Sequence, residues 1–422
     1  MGHSHHHDEI IPPKRLELPK NFVTAGIACA AIGLVAFGVG LAVNPVAAWK
    51  GYIIGFWFTM SLALSGPFFV STQHLVAAGW SSSIRRIPEA FGAFIYVAAL
   101  LGIVGAFMAP DSIYLWQMDG ANKDPMLAKK LGFLNKNWFI ITNVLAFGSW
   151  AGLYSWMRKT SLEQDEKGDF AISLKLKMIS SLFLITFVTG FSFLSWYWLM
   201  SLEPNWFSTM FSVYTFTGLF QSGLALTYVL MIKLGEKGYF GSFVGGRQVH
   251  DLGKLVFGFT TFYAYIGFSQ FLLIWYANIP EEGVWYIVRL ENGWAVFTLA
   301  LPILKFIVPF LIMLPQKIKK NVNGVMVYIC VWLICMQAYE VWYWVAPEPH
   351  GIAISGAHGG GPGAGPRLPI FELPILLGFV GLFAVVVGRA LAAHNLVPIK
   401  DPFLHEALPA HTHEPLLMDH HE

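Results

Sequence analysis

Apolar residues run along this chain in ten stretches of about twenty, the length needed to cross the hydrocarbon core of a bilayer. They begin near Phe22, Tyr52, Ala90, Trp138, Met178, Thr209, Leu255, Trp294, Gly324 and Ile370. Segments rich in turn formers separate them, such as "NPVAAWKG", "SLEPNWFS" and "MLPQKIKKNVNG". The pattern predicts an all-α integral membrane protein with a membrane domain over 21–393. Polar, His-rich tails over 1–20 and 394–422 flank it. The stretch "APEPHGIAISGAHGGGPGAGPRLP" after the ninth span is rich in Gly and Pro and is expected to be irregular.

Lys and Arg set the orientation. Nineteen fall on the N-terminal tail, the even loops and the C-terminal flank, against seven on the odd loops. Both termini are therefore expected in the cytoplasm. The longest odd loop, about Pro110 to Lys136, is expected outside as a partner-contacting surface. No cleavable signal peptide is expected ahead of the first span.

Composition agrees with the membrane reading. Only 12% of residues are charged, about half the roughly 25% of soluble domains. A net charge of +2 is too small for nucleic-acid binding. Cys29, Cys330 and Cys335 form neither a CxxC pair nor a CxxCH haem-attachment motif. The histidines in "MGHSHHHDE" and "HEALPAHTHEPLLMDHHE" read as solvated tails rather than metal sites, because nothing there fixes a coordination geometry.

Ionisable side chains inside spans are costly and mark candidate functional sites. Lys305 lies midway along the eighth span, between Pro302 and Pro309, where each proline removes a backbone donor. That arrangement suits a kinked helix beside a hydrated cavity; snorkelling or a packing ion pair is the alternative. Glu340 lies near the outer end of the ninth span, with Gln337 one turn before it and Tyr339 beside it. Function and interfacial anchoring are both open for it. His74 is the only histidine within a span. Bound haem b, which needs two facing histidines, is rejected, leaving a structural histidine or a quinone or proton ligand. His74, Gln337 and Tyr339 are the candidate quinone contacts.

The seventh span offers two polar stripes. Lys254, Thr261, Tyr265 and Ser269 recur at helical spacing, and Tyr263 and Gln270 lie seven apart. His250 and Asp251 stand at its cytoplasmic mouth, where Asp251 and Lys254 can pair. These residues, with Lys305 and Glu340, are candidates for a proton route; interhelical glue is the competing reading. The route needs a titratable step, which an unpaired buried lysine supplies and a fixed ion pair does not.

Three phrases carry a resemblance: "GWSSSIRRIPEA", "SLEPNWFSTMFSVYTFTGLFQSGLAL" and "VHDLGKLVFGFTTFYAYIGFSQFLLIWYANIPEE". Over about Pro45 to Ala346 the chain resembles the large membrane subunits of bacterial alternative complex III, a quinol:cytochrome c oxidoreductase. It resembles one of the two above all. Those subunits belong to the polysulfide-reductase (NrfD-like) family. The resemblance implies two four-helix bundles, about 52–200 and 209–345, flanked by helices at about 22–43 and 370–391. It implies the bacterial cytoplasmic membrane as location. It also implies partners: the other, homologous membrane subunit, c-type cytochromes, a periplasmic iron–sulfur subunit and small membrane subunits. Haem and iron–sulfur clusters then reside in those partners, and quinol or menaquinol is the only small molecule expected at this chain. The faint echo of the second span, "LALSGPFFVSTQHLVAAGW", in the sixth, "GLFQSGLALTYVLMIKL", does not by itself establish a duplication.

Overall fold

A computed structural model describes residues 13–320, 324–347 and 365–408. It is helical, with no strand among the described residues. Ten long helices carry the fold. They are α1 (Lys20–Val43), α2 (Pro45–Leu75), α3 (Arg86–Met108), α4 (Lys136–Lys167), α5 (Phe170–Trp198), α6 (Phe211–Gly235), α7 (Gly246–Ala277), α8 (Ala295–Met313), α9 (Val325–Val345) and α10 (Glu372–Ala393). Among the described residues, nine are long and apolar enough to cross a membrane. The tenth, α4, has the length, but its apolar part is diluted by Asn143, Gly148, Ser149 and Gly152, and it ends in the polar run "RKTSLEQDEK". The chain is a multi-pass membrane protein of about ten spans.

Helices α2 to α5 pack into one bundle and α6 to α9 into a second. Helices α1 and α10 do not flank the bundles separately. They pair with each other and lie together on α2. The pairing is antiparallel and close, because Gly33 meets Gly378 with no side chain between them. A Cβ on Gly378 would stand 2.7 Å from the Gly33 Cα. Small residues permit such an approach where lipid supplies no hydrophobic drive between helices.

Helix α2 is the axis of the molecule. In its most apolar stretch 94% of residues are buried, against 17% in α1. It touches α1, α3, α5 and α10, and also α6 and α9 of the second bundle. The two spans that echo each other in sequence thus open the two bundles and cross each other. Gly223 on α6 leaves room for the Ser65 side chain at that crossing, beside Phe68, Phe216 and Phe220.

Both described ends of the chain lie on one face, as an even number of crossings requires. Arg15 donates to the Ala393 carbonyl at 3.1 Å. The segment 394–408, expected to be a solvated tail, is instead a packed strap. Leu396, Val397, Leu404 and Ala407 are buried. Lys400 donates to the Glu166 carbonyl (2.7 Å) and Gln248 to the Ala407 carbonyl (2.5 Å), so the strap ties the first bundle to the second. Its apolar residues alternate with polar ones too irregularly to show a helix, which is why it reads as tail. The His-rich extremes, and all but the ends of the Gly- and Pro-rich stretch, lie outside the described residues.

On the opposite face, the 110–136 loop is folded. Asp124 caps the short helix Pro125–Ala128, and Lys130 donates to the Pro204 carbonyl at 2.8 Å. Burial pushes the Asp124 carboxyl up. Hydrogen bonds from Asn205 and two backbone N–H groups together outweigh it and hold the group below the usual carboxylate range.

Candidate functional site

The polar centre of the second bundle is assembled from four helices. Helix α8 supplies Lys305, and the prolines around it act as the sequence predicts. Residues Ile303–Ile307 form a π turn. The Val308 N–H bonds the Ile303 carbonyl and the next residue, Pro309, has no N–H to give. The Leu304 carbonyl is thereby freed, and the Trp332 indole of α9 donates to it at 2.8 Å. This widened turn faces Lys305 into the bundle, where it is fully buried.

There Lys305 Nζ bonds Glu340 Oε2 and donates to Gln337 Oε1 at 2.6 Å. The other carboxylate oxygen, Oε1, accepts from Tyr214 of α6 and Tyr263 of α7, each at 2.6 Å. The ammonium also stands over the Tyr263 ring, 4.0 Å from its centroid. Gly218 on α6 makes room for Gln337, whose amide nitrogen would lie 2.9 Å from a Cβ there. Glu340 and Lys305 are both fully buried, and Gln337 almost so.

An isolated buried charge is prohibitive, so this cluster stands only because each charge meets its opposite and most remaining valences are bonded. Every side chain in it can in principle exchange a proton or reorient around one. Yet Lys305 is not the unpaired lysine that a free titrating step calls for.

Other candidates from the sequence fall elsewhere. Asp251 pairs with Lys254 at 2.6 Å at the mouth of α7, next to His250, whose Nδ1 has no partner. The stripe through Thr261 and Tyr265 is a correction: both are exposed on the outer surface, and Ser269 is only half-buried. Thr261 bonds back to the Phe257 carbonyl at 3.2 Å, which satisfies a hydroxyl on an apolar face. The inward face runs through Val256, Thr260, Tyr263, Gln270 and Ile274. Both stripes have helical spacing, and packing against α6 chose between them. The three candidate quinone contacts share no site. Gln337 holds Lys305; Tyr339 donates to the Phe297 carbonyl at 2.9 Å; His74 lies in the first bundle beside Arg85.

Sequence reading missed Tyr214. The seven-residue spacing that marks Tyr263 and Gln270 also relates Tyr214 to Gln221, and Gln221 donates to Thr260 of α7 at 3.0 Å. It also missed a second buried ionic cluster, at the face carrying the chain ends. Arg86 donates to both Glu89 oxygens (3.1 and 3.2 Å) and to Asp165 (2.5 Å). Arg158 lies 2.9 Å from the same Glu89. Nearby, Arg85 bridges His74 (2.9 Å) and Asp401 of the strap (2.5 Å). By the orientation rule these arginines read as solvated loop charges. The i, i+3 pair in "RRIPEA" was the available sign. On the opposite face Arg289 is buried over the Trp285 ring, 3.9 Å from its centroid, and 3.9 Å from Glu203. Burial holds its guanidinium below the usual arginine range, against the opposing pull of Glu203.

No protein-family model matches the chain, and a search of curated proteins finds no match.

Proposed function

We propose that this chain is an integral subunit of a quinol:acceptor oxidoreductase complex in the bacterial cytoplasmic membrane, of the alternative complex III type within the NrfD-like family. Three sequence phrases support the family, and ten long helices in two bundles agree with what it implies. In this reading both termini are cytoplasmic. The homologous membrane subunit, the periplasmic iron–sulfur subunit and the c-type cytochromes take the electrons; small membrane subunits complete the assembly. Oxidation of a quinol to the quinone releases two electrons and two protons, and this chain's part lies with the protons and with assembly.

The observation that carries the reading is the Lys305–Glu340–Tyr214–Tyr263 cluster. A chain serving only as an anchor has no need of a buried charge pair set in a polar cluster drawn from four helices. As it stands the pair is closed. A proton crosses it only when the pair opens, so Lys305 and Glu340 act as a gate rather than a store. His250 and Asp251 collect protons at the cytoplasmic mouth, and Tyr263 and Gln270 line the inward face of α7.

Purification of the chain from its native membrane tests the complex. Haem and iron–sulfur signals should co-purify with it, and a preparation lacking both sinks the proposal. For the proton role, Lys305→Met and Asp251→Asn are to be placed in the assembled complex in vesicles. Reduced proton movement per quinol oxidised is expected; unchanged movement at normal turnover leaves only the anchor role.

The π turn favours one other reading, a secondary transporter with its substrate at a broken helix. It requires solute-driven uptake by the chain without partners, which the proposed function does not.

A further inference from the structure

A small recess opens on the face that carries both chain ends, between the C-terminal end of α2, the N-terminal part of α5 and the strap. It encloses about 80 Å³ and is lined by Gln73, His74, Arg85, Ser173, Lys177 and Asp401, among others.

The hydrogen-bond pattern shows what the recess offers a ligand. Arg85 Nη1 lies 2.9 Å from His74 Nδ1. A guanidinium can only donate, so Nδ1 is the acceptor and the proton of the neutral ring sits on Nε2. That Nε2 is buried with no partner. Ser173 Oγ accepts from Gln164 at 2.6 Å, which leaves its own proton to donate. Gln73, only 9% exposed, has an unpartnered amide oxygen; exchange of its oxygen and nitrogen would present a further donor.

Charge points the same way. Asp401 is spent on Arg85 (2.5 Å) and on the Phe403 N–H (2.9 Å). Lys177 has no carboxylate within ion-pairing distance among the described residues. The net balance is therefore one free cation with two N–H or O–H donors around a pocket too small for a large ligand. That set suits an anionic oxygen group. The surroundings say where the anion comes from. Phe170, Leu174 and Met178 are exposed along α5 beside the recess, at the end of a membrane-spanning helix, and offer a track for acyl chains. Basic recesses between helices on the cytoplasmic side, where the proposed function puts this face, bind lipid head groups.

We propose that this recess holds the phosphate of an anionic membrane phospholipid, with Lys177, His74 Nε2 and Ser173 as its donors and the strap as its outer wall.

Native mass spectrometry of the full-length protein, with phosphatidylglycerol and phosphatidylcholine added in turn, tests it. Phosphatidylglycerol should be retained roughly fivefold better, since a basic side chain contributes ~1 kcal/mol at an anionic surface. Lys177→Gln should abolish the preference. Lys175→Gln should leave it, because that exposed lysine is already 4.0 Å from Glu163. Lys177 is itself exposed, so its replacement leaves folding intact, which an unchanged melting temperature checks. Equal retention of the two lipids overturns the proposal, as do equal effects of the two lysine variants. Displacement of the lipid by millimolar inorganic phosphate or by a neutral quinone analogue assigns the recess to those ligands and overturns it too.

Discussion

The two bundles bury charge in different ways. The first closes two arginines, Arg86 and Arg158, over Glu89 and Asp165. The second closes one lysine over one glutamate, with two tyrosines and a glutamine around them. Guanidinium groups keep their protons throughout the accessible pH range, and their forked geometry matches carboxylates. The first cluster is therefore a fixed electrostatic joint between α3 and α4. Amines, carboxyls and phenols can all release or take protons. The charged pair of the second cluster and both its tyrosines are groups that can change state. The clusters differ in contact with water as well: the Asp165 side chain is 25% exposed, whereas Lys305 and Glu340 are sealed. Burial alone therefore does not separate the two clusters; the cation each one buries, guanidinium or amine, does.

The sharpest test of this contrast is Lys305→Met. It leaves Glu340 in the bundle interior with no cation beside it and only the two phenol hydrogen bonds, and should cost about 3–5 kcal/mol. Thermal unfolding in detergent would show it as the largest loss in the series. Adding Glu340→Met to the same chain removes the stranded carboxyl and should restore much of the stability, because buried pairs replaced by apolar groups are often neutral. If the double variant is no better than the single one, the pair is not the unit described.

Arg86→Met should cost less, roughly 2–3 kcal/mol. Glu89 keeps Arg158, and Asp165 can turn toward water. Here no single apolar partner replacement should rescue, since four charges share the joint. A rescue by Glu89→Met alone would mean that the first cluster is also an isolated pair and would erase the comparison.

One side of this contrast was partly legible in the sequence, and the rest was hidden for a physical reason. Lys305 and Glu340 stand out because each interrupts an apolar run, and the prolines around Lys305 foretold its irregular turn. That the two would touch was not readable. Their partners lie on four helices, and crossing geometry depends on packing at positions such as Gly218 and Gly223. The first cluster was hidden because its arginines sit where the orientation rule expects solvated cations. Segment α3 begins inside the protein rather than at its surface, so Arg86 and Glu89 are buried in the helix's first turn. The strap was hidden too, since its contacts are mostly to backbone carbonyls, which any sequence offers.

Within the second cluster, Tyr263→Phe should cost about 1.5 kcal/mol, the lower end for a hydrogen bond to a charged group. Tyr214 still bonds the same carboxylate oxygen, and the phenyl ring keeps its contact with the Lys305 ammonium. Tyr214→Phe should be similar alone, and the two together should exceed their sum, because the last phenol is then lost from Glu340 Oε1.

The smallest effect is the most discriminating for the reading of α7. Tyr265 lies two residues from Tyr263, and the sequence placed both among the proton-route candidates. Its side chain is on the outer surface, 64% exposed, on the far side from the Lys305–Glu340 pair. Tyr265→Phe should change stability by less than about 0.5 kcal/mol and leave proton movement in the proposed complex untouched. Tyr263→Phe should alter both. A Tyr265 effect equal to that of Tyr263 would mean that the outer stripe is covered by a partner and carries polar contacts there. The inward face of α7 would then be only half of the functional helix, and the outer hydroxyls would belong to an interface rather than to lipid.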